Sequence, residues 1–194
     1  MLNAIEKRID HLAKYLQQRN NLDHISYLKI RLGMQVFVGN IFKTVVAYGV
    51  SILCHLFFYT LTVHLTYVII RTFAHGAHAK SSLLCHVQNL LLFVFLPWII
   101  VYTKVDIGLM YILAILGFII LSIYAPSATK KQPIPKRLKK KKKVKTIVVT
   151  LLLIIGSLLF NAPYQQLILL GIIIIAVTQL PIFFPKEDVS TWTY

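Results

Sequence analysis

The chain has 194 residues, 57% of them hydrophobic and only 14% charged, with a mean hydropathy of +0.71. A soluble domain of this size carries about 25% charged residues, so the composition excludes an ordinary soluble enzyme and makes a bilayer the solvent. The formal net charge of +15 does not indicate nucleic acid. Basic residues gather near the amino end and between 130 and 145, the apolar runs are nearly charge-free, and this is the imprint of the positive-inside bias. The basic run also lacks the aromatic side chains that stack on bases. Cys54 and Cys85, the two cysteines, build neither a disulfide framework nor a metal finger.

Residues 1–40 read as amphipathic, interfacial helices. Leu2, Ile5, Ile9, Leu12 and Leu16 recur at spacings of three and four, one apolar stripe on a polar helix suited to lie on a membrane or on a bundle. Asn20-Asn21-Leu22-Asp23 breaks it, and Asp23 can cap a second helix over about 24–38, where Ile25, Leu28, Leu32 and Val36 continue the pattern. This polar start shows no cleavable signal pattern and reads as cytoplasmic. Residues 41–70 follow as a membrane hairpin or span. Its 45–70 run, about 39 Å as one helix, exceeds the roughly 30 Å hydrocarbon core. It is therefore one tilted span or two short helices turning in the membrane. Residues 83–124 predict two spans, 125–145 a polybasic cytoplasmic loop, 146–185 two further spans and 186–194 a tail. The fold class is an all-α polytopic membrane protein with amphipathic amino-terminal helices, about four full spans and a bent or re-entrant hydrophobic hairpin.

Crossing parity limits the topology. If the amino end and 130–145 are both cytoplasmic, an even number of crossings separates them, whereas three apolar runs lie between. One run must cross twice or not at all. The long 45–70 run suits a double crossing and leaves 71–82 cytoplasmic; a re-entrant 83–102 would put 71–82 outside. In the basic segment Pro126, Pro133 and Pro135 oppose a continuous helix. Ten basic residues lie from Lys130 to Lys145. They attract anionic lipid heads at about 1 kcal/mol each, and Lys139, Lys140, Lys141, Lys142 and Lys143 also form a candidate dock for an acidic peptide.

The chemistry concentrates between Arg71 and His86, where three of seven histidines and one of two cysteines fall within twelve residues. Gly76 permits a tight turn, and Ser81 or Ser82 can cap a helix that begins near Leu83. Cys85 then occupies the third or fourth helical position, where a thiol is activated by the helix amino terminus and by neighbouring cations such as Lys80. His78 is seven residues away, about 10.5 Å along a straight helix and too far for proton transfer, which needs roughly 3 Å. A turn over 79–82 can fold it back over Cys85. No carboxylate lies nearby to orient the imidazole, so the pair reads as a dyad. Gln88 can donate to an oxyanion or simply be satisfied in the bundle. The bland alternatives remain open from spacing alone: His78 as an interfacial residue, Cys85 as a small core hydrophobe, or a strained zinc set of His75, His78, Cys85 and His86. Cys54-His55 diverge on a helix in apolar surroundings and read as core.

Several stretches carry a resemblance that covers essentially the whole chain. They are Arg19-Asn20-Asn21-Leu22-Asp23-His24, Arg31-Leu32-Gly33-Met34-Gln35-Val36, Ala74-His75-Gly76-Ala77-His78-Ala79 followed by Ser81-Ser82, Tyr124-Ala125-Pro126 and Lys131-Gln132-Pro133-Ile134-Pro135. They resemble the staphylococcal accessory gene regulator B family, membrane cysteine endopeptidases of peptide quorum sensing. The resemblance implies His78 and Cys85 as the catalytic residues and the accessory gene regulator D propeptide as substrate. That propeptide has an amphipathic leader, a signal sequence with an internal cysteine, and an acidic tail that is removed as a thiolactone ring closes. Lys80 stands where a relative has proline, which bears on turn stiffness but on neither catalytic residue. No cofactor or metal is implied. Anionic lipids and a homodimer are the further expected partners. A non-catalytic peptide transporter or export channel is the rival reading, weakened because His55, His64, Gln165, Gln166 and Gln179 are too scattered to line a polar path.

Overall fold

The structure is a computed structural model that describes residues 2–76, 82–127 and 135–183. Among them the chain is all-helical, with a lone bridge between His75 and Ser127 as its one extended pairing. Contacts divide it into two units, 1–49 and 50–194.

In the first unit, α1 (Leu2–Arg19) packs on the opening turns of α2 (His24–Leu53). Ile9, Ala13 and Tyr27 are buried there, and the Asp23 carboxylate accepts from Ser26 N–H at 3.2 Å, the expected cap. Asp10 organises the polar side of the pair. The Tyr27 hydroxyl donates to it, Lys14 Nζ lies at 2.9 Å and Arg31 Nε at 3.4 Å. The Tyr27 hydrogen bond first, and Lys14 next, hold its carboxyl below the usual carboxylate range.

Two expectations are corrected. The second helix does not stop near residue 38, nor does a separate membrane element begin at 41: α2 runs unbroken from His24 to Leu53. Gly39, Asn40 and Lys43 do not interrupt it, because a helix satisfies its own backbone whatever faces outward. The apolar run divides later, at Cys54–Leu56, where His55 takes a positive φ of 58° and Leu56 N–H bonds back to Ser51 O at 2.7 Å. The polybasic segment is not a loop from residue 136 onward. Lys136–Ser157 form a single helix, α7. Pro135 precedes its first turn, a position where proline's fixed φ and missing N–H cost nothing, and the apolar half anchors what lysine repulsion would loosen.

In the second unit the remaining helices are α3 (Phe57–Ala74), α4 (Ser82–Leu90), a π turn (Leu91–Phe95), α5 (Leu96–Thr103), α6 (Ile107–Tyr124) and α8 (Tyr164–Val177). Among the described residues, four helical stretches are long and apolar enough to cross a membrane: His24–Leu53, Phe57–Ala74, Leu84–Thr103 and Ile107–Tyr124. Their outward residues, such as Leu65, Val68, Ile112, Leu116 and Ile119, are exposed apolar side chains that a bilayer would cover. The protein is a multi-pass membrane protein.

The core is built around α8. Its 14 residues span only about 21 Å, yet Gln166–Leu170, Gly171, Ile172 and Ile174–Ala176 are buried, as expected for a helix apolar on every side. α3 presents Thr60, Val63, Thr66, Ile70 and Ala74 along one stripe, and α6 presents Met110, Ala114, Gly117 and Leu121. Gly171 allows the closest approach: a Cβ there would lie 2.7 Å from Thr66 Cβ and 3.0 Å from the Val63 carbonyl oxygen. Polar links fix the far end. Gln166 Nε2 donates to Val105 O at 2.6 Å, Gln165 Nε2 to the Tyr111 hydroxyl at 2.8 Å, and that hydroxyl lies 3.0 Å from Ser157 Oγ. The π turn sets the face of the helix that carries Cys85. Cys85, Asn89, Phe93 and Pro97 all fall on its less exposed side, a spacing of four that drifts about 40° per turn in a regular α-helix. The extra residue of the π turn, closed by Leu96 N–H to Leu91 O, takes up part of that drift.

Candidate active site

The end of α3 is held from three directions. His75 leaves the helix with a φ of 59°, and Gly76 follows at 126°, a conformation that glycine adopts without a Cβ penalty. Ser127 N–H, in the turn after α6, bonds to Ala74 O at 3.1 Å. From beyond α8, Gln179 Nε2 donates to Ala74 O at 3.3 Å and to His75 O at 3.0 Å. Lys142 Nζ of α7 contacts His75 Nε2. The lysine-rich start of α7 and the exit of α3 therefore lie side by side, and Lys145 Nζ stands 5.6 Å from the centre of the Phe73 ring.

Cys85 is the fourth residue of α4, within its first turn, a free and half-buried thiol. His78, Lys80 and Ser81 lie outside the described residues. The last turns of α3 carry a feature absent from the sequence reading. Arg71 Nη1 donates to the Tyr67 hydroxyl, and the guanidinium carbon sits 5.3 Å from the Tyr67 ring centre. Tyr67 packs edge-on against Phe93 at 5.0 Å, with His64 on the same phenyl ring at 4.8 Å. The i, i+4 spacing of Tyr67 and Arg71 was the available signal. Gln179 gave none, since a lone polar residue near the end of an apolar run has no pattern.

Cys54 offers a contrast. It lines a groove of about 670 Å³ with Val50, Leu56, Val87, Leu91 and Trp98, where no basic group accompanies the thiol. Lys139, Lys140 and Lys141 are exposed, while Lys142 and Lys143 are half-buried. All five lie in the first turns of α7, where their charge adds to the positive end of the helix dipole.

Comparison with known proteins gives the family of the chain. The family profile described as Accessory gene regulator B matches residues 9–180. The chain belongs to the accessory gene regulator B family. It is 64% identical over 188 residues to accessory gene regulator protein B of Staphylococcus saprophyticus, covering 97% of this chain and 100% of the relative. Identity is 57% to that of Staphylococcus haemolyticus and 53% to that of Staphylococcus aureus (strain bovine RF122), each covering 96% of this chain and all of the relative. No solved structure matches. As a member of the accessory gene regulator B family, the protein is a membrane cysteine endopeptidase. It processes the accessory gene regulator D propeptide into the thiolactone autoinducer of quorum sensing.

Proposed function

We propose that Cys85 is the nucleophile and His78 the general base of this processing, and that α7 receives the acidic tail of the substrate. The observation that carries the reading is the free, half-buried thiol at the fourth position of α4, within its first turn. Cys85 sulfur attacks the carbonyl carbon at the junction of signal and tail while His78 takes the thiol proton. The C–N bond then breaks, and His78 returns that proton to the leaving tail amine. An acyl-thioester on Cys85 remains. The peptide's internal thiol attacks it, loses its proton by way of His78 to the Cys85 sulfur, and leaves as a cyclic thiolactone. One thioester replaces another, so ring closure competes with hydrolysis through proximity and exclusion of water.

The contact of Lys142 with His75 supports a place for the basic helix at the same membrane face as the segment after Gly76. Among the described residues three candidate spans, Phe57–Ala74, Leu84–Thr103 and Ile107–Tyr124, precede α7 in the second unit, and the two that separate the exit of α3 from the start of α7 support a topology with those two ends on one side. The lysines make that side the cytoplasm by the positive-inside bias. Anionic lipid heads compete for the exposed lysines. A homodimer fits the apolar side of α2 on which Leu28, Leu32 and Val36 stand exposed.

Replacing Lys139, Lys140, Lys141, Lys142 and Lys143 together by Gln is expected to slow processing of the acidic-tailed propeptide about tenfold or more and to spare a neutral-tailed one. Purified protein in vesicles, with insertion verified, and timed product masses supply the measurement. Equal losses on both substrates would reduce the lysines to a topological role.

A further inference from the structure

Between α1 and the first turns of α2 lies a cavity of about 450 Å³, at the small end of the roughly 300–1,000 Å³ that small-ligand sites occupy. Glu6, Lys7, Asp10, His11, Lys14 and Arg31 form its walls. On α1 the spacing of 7, 11 and 14 sets a lysine, a histidine and a second lysine along one side of the helix, and α2 supplies the guanidinium. Asp10 does not cancel this charge. Its carboxylate already accepts from the Tyr27 hydroxyl and meets Lys14 Nζ at 2.9 Å and Arg31 Nε at 3.4 Å, so two cations share one anion. The Arg31 contact is coulombic only: Nε is buried without a hydrogen-bond acceptor, while 40% of the side chain stays exposed. Lys7 and His11 are exposed and make no hydrogen bond or ion pair among the described residues. What remains is a surplus of donors without acceptors. A phosphate is the complement, since its oxygens only accept and they take a guanidinium in bidentate fashion.

The position along α2 selects the source of that phosphate. Arg31 is the last charged residue before an uncharged stretch from Leu32 to Phe42, so it marks the level at which the helix passes from water to hydrocarbon. Apolar side chains stand exposed beside the polar walls. Leu12 and Tyr15 follow His11 and Lys14 on α1, and Leu28 and Leu32 flank Arg31 on α2. A free phosphate in water needs no such border, whereas a phospholipid brings its glycerol and first methylenes to it. We propose that this cavity is a headgroup site for an anionic phospholipid, with Arg31, Lys7 and Lys14 on the phosphate, His11 beside them and Glu6 accepting from a headgroup hydroxyl. The site is separate from the lysines of α7, none of which lines it, and it rests on neither Cys85 nor His78. A lipid bound there joins α1 to α2 through one phosphate and ties the amino-terminal pair to the bilayer.

The test counts lipid on the full-length protein. Protein purified in detergent supplemented with phosphatidylcholine is titrated with phosphatidylglycerol, and native mass spectrometry reads the bound lipids. The parent is expected to retain one phosphatidylglycerol in preference to phosphatidylcholine, and so is the protein with Lys139, Lys140, Lys141, Lys142 and Lys143 replaced by Gln. Lys7→Gln is expected to weaken that binding about fivefold, and Lys7→Gln with Arg31→Gln about twentyfold or more. Arg31→Gln also removes a partner of Asp10. Lys7→Gln with His11→Gln breaks no described contact, and its expected loss of about fivefold or more carries the test if the arginine variant fails to fold. Retention unchanged in these variants would overturn the site, as would equal retention of the two lipids. Inorganic phosphate and a hexaglutamate peptide, each added at the concentration of the lipid, are expected to leave it bound. Displacement by phosphate would make this a site for soluble phosphate, and displacement by the peptide a peptide dock; either result overturns the lipid assignment.

Discussion

Cys85→Ala is expected to abolish processing of the propeptide, lowering kcat/KM by about 10⁴-fold or more, while the variant inserts and melts as the parent does. No other described sulfur can substitute for it. Cys54 lies among Val50, Leu56 and Val87, with no basic group in its groove to generate or hold a thiolate, so Cys54→Ala should process normally. Because the thiol is only half-buried and one methyl-sized atom is lost, folding should be little disturbed, which separates chemistry from stability. Timed masses of propeptide and product in lipid vesicles give both rates. Undiminished processing by Cys85→Ala would end the Cys85 mechanism, and loss of processing in Cys54→Ala alone would move the nucleophile to the turn after α2.

His78→Gln should slow acylation by about 10²–10⁴-fold, the usual contribution of a positioned general base. The loss carries a pH signature. Without a base, attack waits on thiolate formed by solvent, so the deficit is greatest near neutrality and narrows as pH rises past the ordinary thiol range near 8.5. Single-turnover release of the tail, measured across pH, reads this directly. A deficit that does not narrow at high pH would mark His78 as structural, and a normal neutral-pH rate would assign the base elsewhere.

The sequence was most legible where local chemistry decides. Within the predicted stripe on α1, Ile9 is buried although Leu12 is exposed, and the Asp23 cap and the first-turn position of Cys85 follow from capping within a few residues. It was misleading where lipid replaces water. Gly39, Asn40 and Lys43 signal a break in an aqueous helix, yet α2 passes through them, because apolar residues on its outer side need no protein partner in a bilayer. Pro126, Pro133 and Pro135 read as barring a continuous helix from the basic segment, but Pro135 lies just before α7 and the largely apolar stretch after Lys145 carries that helix. Long-range juxtapositions had no sequence signal at all. The meeting of Lys142 with His75, 67 residues apart, and of Gln179 with Ala74, 105 residues apart, depend on α8 being buried among α3, α6 and α7.

The whole mechanism depends on a covalent bond between the signal peptide and one sulfur. Purified enzyme in lipid should be quenched in acid within the first turnover, using a propeptide whose internal cysteine is replaced by alanine so that ring closure cannot discharge the intermediate. Intact mass should then rise by the mass of the tailless peptide, and fragmentation should place the addition on Cys85. An adduct on another residue, or quantitative release of the tail with the enzyme mass unchanged at every quench time, would contradict the account.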